Sequence, residues 1–343
     1  MTKTRIGLLG CGRVAEIAHI PSLSDIATAE VVALAEPIED RRQAALAAFP
    51  GAKQYLDYRD LLSGETLDAV VIGLPSDLHA DAACMAMARG THAYIEKPLA
   101  TDLASAQEVS QVWQQSQLVG MIGLNLRRNP FYQKARQIVQ NGQLGQIAAV
   151  RSVFGSIRRE QPSWRESHAT GGGALLNLAP HPVDMISFLL DRPIEEVFAH
   201  RPTVEPDLTM SLQFRLKGGL LVQSVLTMVG YSADEIEIIG DEATLFVNRR
   251  AARLTLLPPD TYDSSKKRLM HELASMAKMP ERIWRGRGEP SYLQSLRAFV
   301  EAVQTGNTAV TPDVLDGLRV QSVIEAAWES ANSGRPARVK TLE

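Results

Sequence analysis

Apolar positions along the first third of the chain come in short unbroken runs: Arg5–Leu9, Glu30–Glu36, Asp68–Gly73, Thr91–Ile95 and Leu118–Gly123. Runs of this length without polar alternation predict strands buried on both faces. Between them lie stretches of helical length. Arg41–Phe49 is alanine-rich, and a second begins near His79 and is stopped by Gly90. Thr101 and Asp102 are placed to cap a third helix, and Tyr55–Leu62 reads as a short connector. Strands alternating with helices in this way predict a parallel, doubly wound sheet.

After a helix at Phe131–Asn141, closed by Gly142, the rhythm changes. Strands are expected at Ile147–Phe154, Glu196–His200, Thr209–Leu216, Leu220–Val229, Glu235–Ile239, Ala243–Val247 and Arg253–Leu257. Lys217-Gly218-Gly219 and Gly240-Asp241-Glu242 are turn signals between neighbours. Short turns between consecutive strands imply a mainly antiparallel sheet. Such a sheet commonly has one broad open face, and pairing of that face with a second copy would account for apolar residues on it. Pro258–Pro290 shows no strand pattern. It carries Lys266, Lys267, Arg268, Lys278, Arg282, Arg285 and Arg287, with Leu269, Leu273, Met276 and Ile283 at roughly helical spacing. It reads as a helical excursion with a solvated basic face, or as a lid or subunit contact that meets an anionic substrate. Amphipathic helices at Ser291–Gln304 and Pro312–Ser333 follow, and Arg335–Val339 closes the chain as a short strand or surface arm.

Composition narrows the function classes. The 343 residues suffice for about two domains. A formal net charge of -3 with 22% charged residues argues against a generally nucleic-acid-seeking surface. No apolar run approaches the ~20 residues that span a bilayer, so no membrane partner is expected. The N-terminus, Met1-Thr2-Lys3-Thr4-Arg5, enters a strand directly and lacks the sections of a signal peptide. Only Cys11 and Cys84 are present, which suits a reducing cytoplasm. The 7 histidines are scattered and the cysteines are far apart in sequence, so no metal site is expected.

The first strand runs into Gly10-Cys11-Gly12-Arg13-Val14-Ala15, a G-x-G-x-x-A pattern that opens a helical stretch. Gly10 allows the tight turn, Gly12 lets backbone approach a pyrophosphate, and Ala15 permits close helix–strand packing. Helix N-termini present free N–H groups to phosphates, so Arg13 and Val14 join the expected cofactor contacts. Glu36 ends the second strand, about 20 residues beyond the glycines, where a carboxylate accepts from an adenosine ribose hydroxyl. Glu36 would repel a 2′-phosphate and favours NAD over NADP, while Arg41 and Arg42 soften that preference and leave NADP possible. Pro75 and Ser76 follow the third apolar strand and are expected to border the cofactor. His79, in the first turn of the next helix, is either a structural hydrogen-bonding residue or a further cofactor contact. The next strand delivers Tyr94-Ile95-Glu96-Lys97-Pro98 to the carboxyl edge of the sheet, where open α/β sheets bind ligands. Glu96 and Lys97 are therefore expected at the cofactor.

These stretches, together with Gly171-Gly172-Gly173 running on to His181-Pro182-Val183-Asp184, resemble the Gfo/Idh/MocA oxidoreductase family, named for glucose–fructose oxidoreductase, inositol dehydrogenase and a rhizopine-catabolism protein. The resemblance covers nearly the full length. It implies an NAD(P)-binding Rossmann domain at residues 1–123 and a substrate-binding and oligomerisation α/β domain with a large, mainly antiparallel open sheet at 124–343. It also implies NAD(P) chemistry on a carbohydrate or polyol, and a homodimer or homotetramer formed through the C-terminal sheet. The family's catalytic lysine falls on Lys97 and its histidine on His181. Many polyol dehydrogenases of the family carry aspartate four residues before that histidine, where this chain has Asn177. If the stretch is helical, Asn177, His181 and Asp184 share one face, a reading that Pro180 and Pro182 qualify. Arg127 is a substrate or cofactor contact or a salt bridge at the domain junction. Trp164 and Arg165, just before the glycines, complete the expected substrate-binding set with Lys97, Asn177 and His181.

The chemistry expected from this set is dehydrogenation of a secondary hydroxyl. His181 removes the hydroxyl proton as hydride leaves to NAD, and Lys97 stabilises the developing oxyanion. An imidazole with an ordinary pKa of about 6.5 suits the proton transfer. Lys97 becomes the proton carrier instead if the positive cofactor ring lowers its pKa. The alternatives are a hydrolase or lyase that uses tightly held NAD for transient oxidation, and a non-catalytic NAD-binding protein.

Overall fold

The computed structural model describes residues 2–157, 172–202, 207–259, 266, 270 and 290–341. The chain forms two compact units. One comprises Met1–Arg128 with Gly286–Gln321, the other Asn129–Arg285 with Ser322–Glu343.

The first unit is built on six parallel strands: β1 (Thr4–Leu9), β2 (Ala29–Ala35), β3 (Lys53–Tyr55), β4 (Ala69–Ile72), β5 (His92–Ile95) and β6 (Gly120–Ile122). Their order is β3-β2-β1-β4-β5-β6, the doubly wound arrangement that the apolar runs predict. β4 is buried at every position, as a strand covered on both faces must be. The covering helices are α1 (Ile20–Ser24), α2 (Glu39–Ala48), α3 (Tyr58–Gly64), α4 (His79–Ala88) and α5 (Leu103–Ser116). A π-helical turn, Ala15–His19, precedes α1. The expected connector at Tyr55–Leu62 is instead the end of β3 and the start of α3, whose N-terminus Asp57 caps by accepting from the Arg59 N–H at 2.7 Å. The Lys-Gln-Tyr sequence of β3 has no apolar signal because it is a short edge strand with exposed side chains.

A helix from late in the chain also belongs to this unit. Leu296, Phe299, Val300 and Ala302 of α9 (Pro290–Thr305) join Ile6, Leu8, Leu34, Val71 and Tyr94 in one buried core. The amphipathic stretch at 291–304, placed by the sequence in the second half, covers one face of the first sheet. An apolar stripe follows whichever apolar surface is left uncovered, whatever its distance along the chain.

The second unit holds an eight-stranded sheet ordered β13-β12-β11-β7-β10-β9-β8-β14. Its strands are β7 (Ile147–Gly155), β8 (Ile194–His200), β9 (Thr209–Leu216), β10 (Leu221–Thr227), β11 (Ala233–Gly240), β12 (Thr244–Asn248), β13 (Arg253–Leu257) and β14 (Ala337–Arg338). Every pairing is antiparallel except that of β7 with β10. Burial alternates along β10, with Val222, Ser224 and Leu226 inside and Leu221, Gln223 and Val225 outside. The helices α6 (Pro130–Gln140), α7 (Gly173–Leu178) and α8 (Pro180–Leu190) belong to the same unit, and α7 packs on β9 and β10. Buried Asp234 on β11 ties the layers together, accepting from the Tyr132 hydroxyl of α6 and from Arg249. Helix α10 (Val314–Ser333) contributes residues to both units. Apart from Pro258, Pro259, Lys266, Met270 and Pro290, the basic stretch lies outside the described residues. No described helix is long and apolar enough to cross a membrane.

The end of β11 runs close against the backbone at Leu144. A Cβ at Gly240 would stand 1.9 Å from the Leu144 carbonyl oxygen, a backbone atom that no rotamer change can move aside. Gly240→Ala is expected to cost about 1–3 kcal/mol, the usual cost of overpacking, read as a lower urea midpoint by circular dichroism.

Candidate active site

Because all six strands of the first unit run parallel, their carboxyl ends share one edge of the sheet. Onto that edge the chain delivers Gly10 and Gly12 after β1, Glu36 after β2, Gly73 to Ser76 after β4, and Glu96 and Lys97 after β5. The glycines are there for room. Gly10 has φ +89°, and a Cβ on it would meet the Gly73 carbonyl oxygen at 2.7 Å. Gly12 has open space where its Cβ would stand, with nothing within 4 Å. Val14 leans toward Gly73, its Cγ1 3.5 Å from where a Cβ there would be. Arg13 is exposed and pairs loosely with Glu16 at 3.7 Å, a surface contact of little energetic weight. The turn thus has the clearance that a dinucleotide pyrophosphate needs, and the residues present fit that group.

Glu36 is 4% exposed. One of its carboxylate oxygens accepts from the Cys11 N–H at 2.9 Å and the other from the Ile38 N–H at 3.0 Å. It therefore bolts the glycine turn to the end of β2. Each oxygen has a second lone-pair site, so acceptance from ribose hydroxyls is compatible with this role. Burial pushes the Cys11 thiol up to about 12, with the charge of Glu36 adding to the effect, so this cysteine stays an inert thiol. Arg42, expected to soften the preference for NAD, is itself buried. It donates to the Glu36 carbonyl at 2.8 Å and pairs with Glu39. Its guanidinium supports the backbone of the β2 turn.

Two of the expected cofactor contacts, His79 and Glu96, hold backbone groups of this edge. His79 is 2% exposed, with Nδ1 2.7 Å from the Pro98 carbonyl and Nε2 2.9 Å from the Leu74 carbonyl. Burial lowers its pKa against the opposing pull of these two carbonyls and of Glu96. Of the two roles open to it from sequence, the structure gives it the structural one. Glu96 is 4% exposed, and its carboxylate meets His19 Nε2 at 2.9 Å and the Lys97 N–H at 3.3 Å. His19 gave no sequence signal beyond its place four residues after Ala15, on the buried side of the first helix. Lys97 is half-buried at the edge, Ser76 is half-buried and Pro75 is exposed. Arg127 forms an ion pair with Asp316 at 2.9 Å within the first unit, both side chains largely buried. The ion pair lies within the first unit, not at a junction between the two.

In the second unit, α7 and α8 follow one another through Ala179, which has helical φ and ψ. Pro180 and Pro182 are tolerated because they stand in the first turn of α8. Asn177 and His181 are half-buried, whereas Asp184 is 2% exposed. His181 stacks on Phe154 of β7 with ring centroids 6.3 Å apart and planes 11° from parallel. Asn177 donates through Nδ2 to the Gly173 carbonyl at 2.8 Å, and Gly173 has φ +75°. A carboxylate at 177 would set acceptor against acceptor there. Trp164, Arg165 and Gly171 lie outside the described residues. Among the described residues no group of His, Cys, Asp and Glu is arranged to hold a metal ion.

Comparison with known proteins agrees with this anatomy. Residues 4–124 match the oxidoreductase family model with an NAD-binding Rossmann fold, and residues 132–246 match the GFO/IDH/MocA C-terminal domain. The dTDP-3,4-didehydro-2,6-dideoxy-alpha-D-glucose 3-reductase of Actinomadura kijaniata is 26% identical over 330 residues, covering 95% of this chain and 95% of its own. An uncharacterised oxidoreductase of Rhizobium meliloti, ORF334, is 30% identical over 248 residues, 71% of this chain and 74% of its own. Levoglucosan dehydrogenase, solved in complex with NADH, shares the fold at a TM-score of 0.86 and 22% identity, with 99% of this chain and 100% of that one covered. With a Rossmann sheet carrying the glycine turn and Glu36, and a second unit matching the family's own C-terminal domain, the chain belongs to the GFO/IDH/MocA family of NAD-binding oxidoreductases.

Proposed function

We propose that the protein is a dehydrogenase that moves a hydride between NAD and a secondary hydroxyl of a sugar, a sugar derivative or a cyclic polyol. The observation that carries this reading is Lys97, half-buried on the same sheet edge as the open glycine turn and Glu36. The relatives point the same way, one named a reductase of a nucleotide-linked deoxysugar and one a dehydrogenase of an anhydrosugar.

Gly10, Gly12, Arg13, Val14, Glu36, Pro75 and Ser76 are the residues that would hold the cofactor, and NAD, when bound, supplies the hydride acceptor. The remaining work falls to side chains. His181 removes the hydroxyl proton, its ring set by stacking on Phe154. Lys97 stabilises negative charge as it develops on the substrate oxygen, by charge and by hydrogen bond. Asn177 contributes hydrogen bonding but no proton transfer, since an amide neither takes a proton nor carries charge near neutral pH. NAD is favoured over NADP because the buried Glu36 carboxylate would repel a 2′-phosphate, while Arg42 is committed to the backbone and Glu39. Leu221 and Val225, 57% and 42% exposed on the outer face of β10, support a homodimer or homotetramer formed through the second sheet.

Purified protein with NAD, and with NADP in parallel, is expected to raise NADH absorbance with one class among inositols, aldoses, sugar acids and UDP-hexoses, and to favour NAD. With the substrate so found, Lys97→Ala and His181→Ala are each expected to lower kcat by at least ~10²-fold, the usual worth of such a group. Near-normal turnover by either variant removes that residue from the mechanism. Bound NAD that turns substrate over without accumulating NADH would replace net dehydrogenation with transient oxidation. Glu36→Ser is expected to raise the NADP:NAD ratio of kcat/KM, and an unchanged ratio would show that Glu36 serves the turn alone.

A further inference from the structure

The carboxyl end of β5 is built around a buried charge that the proposed chemistry does not use. Glu96 is 4% exposed and His19 0%, and they face each other at 2.9 Å. The pocket is fitted to the carboxylate, since a Cβ at Gly123 would stand 2.9 Å from Glu96 Cδ and Oε2. His19 sits in a π-helical turn, a local geometry that recurs frequently at functional sites. Its ring packs under Gly73, where a Cβ would be 3.1 Å from both Cε1 and Nδ1, and edge-on to Tyr94 and Tyr292. The Nδ1 atom of that ring is buried, with no hydrogen-bond partner among the described residues.

As a stability element this is a poor solution. A buried carboxylate costs several kcal/mol to desolvate, and well-packed apolar residues often do as well or better in place of a buried pair. An unpartnered ring nitrogen adds to the cost. What the pair does accomplish is local. The second oxygen of Glu96 accepts the Lys97 N–H at 3.3 Å, and on the other side His79 meets the Pro98 carbonyl at 2.7 Å. Lys97 thus stands between two anchored peptide groups. Both histidines also touch the end of β4, His19 at Gly73 and His79 at the Leu74 carbonyl. The ends of β4 and β5 are held to each other through these rings.

We propose that His19 and Glu96 are positioning residues, a buried pair that holds the Lys97 backbone, and through it the amine, in register with the Gly73–Leu74 edge. The proposal rests on the reading of Lys97 as the group that meets substrate. A lysine amine hangs on four rotatable bonds, so its placement begins with a fixed backbone, and misplacement of about 1 Å at a reacting group costs on the order of 10²-fold. The backbone pairing with β4 ends one residue earlier, where the Glu96 N–H donates to the Ile72 carbonyl at 3.0 Å, and the Lys97 N–H is taken up by the Glu96 carboxylate.

The test reads Lys97 directly and needs no substrate. Lysines are dimethylated with 13C-formaldehyde under reducing conditions, and the Lys97 methyl signal is identified by its loss in Lys97→Arg. In the wild type it is expected apart from the signals of exposed Lys3 and Lys217. His19→Gln places an amide nitrogen near the imidazole Nε2 position and is expected to keep the Lys97 signal where it was. His19→Asn places its amide near Nδ1, out of reach of Glu96, and is expected to move the signal into the exposed-lysine envelope. A signal unchanged in both variants, or displaced equally in both, overturns the proposal. Loss of the folded state in both variants also overturns it, since the pair would then be a requirement of the fold and not a positioning device. Failure of the proposed function shows separately, as turnover retained by Lys97→Ala.

Discussion

The chemistry of the first unit depends on how closely the turn after β1 can approach the end of β4. Gly10 takes a left-handed φ and leaves less room above the Gly73 carbonyl than any side chain needs. Gly73 in turn has the His19 ring against it. Two residues without side chains therefore let three backbone segments and one imidazole meet at the sheet edge. Enlarging Gly10 would push the turn after β1 away from the end of β4, and enlarging Gly73 would press on the His19 ring and Val14.

Both acids at this edge are handled in one way, and it differs from their reading in sequence. Glu36 and Glu96 look like solvent-facing strand ends poised for a ligand. Each is instead buried and satisfied from within, Glu36 by two backbone N–H groups and Glu96 by one N–H and an imidazole. The logic is that of a carboxylate cap, in which a fixed negative charge compensates amides that lack ladder partners. Only after this structural duty does a remaining lone pair bear on a ligand. The same displacement of roles holds for Arg42 and His79, whose polar groups are spent on carbonyls of the turns they support. Charged residues beside a binding edge are as often its scaffolding as its contacts.

How much was legible follows from which physical signal each element leaves. The buried parallel strands announce themselves as apolar runs, and the alternating strands of the second sheet by their turns. β3 leaves no trace, since an exposed edge strand of three polar residues has nothing to bury. The place of α9 was misread because periodicity says that a helix has an apolar face and not which sheet receives it. At the site, Gly10, Gly12, Glu36 and Lys97 were marked by motif and by strand ends. His19 was invisible, because a histidine inside an apolar helix face reads the same whether it packs idly or holds a carboxylate. Only three-dimensional proximity across 77 residues distinguishes the two.

Asn177 shows why a departure from a family pattern needs its local backbone before it is weighed. Read alone, an amide where relatives carry a carboxylate suggests a weakened base. In the structure its Nδ2 donates to the carbonyl of Gly173, a residue with φ +75°. The amide and the glycine conformation are a matched pair, since aspartate would bring two acceptors together unless it held a proton. The hydrogen bond fixes the start of α7, and with it the short step through Ala179 to the turn that carries His181. On the proposed chemistry, asparagine at this position trades a charge near His181 for a rigid mount beneath it. On the proposed chemistry the balance of charge then falls to Lys97, which makes the buried support of that one lysine the more consequential feature of the sheet edge.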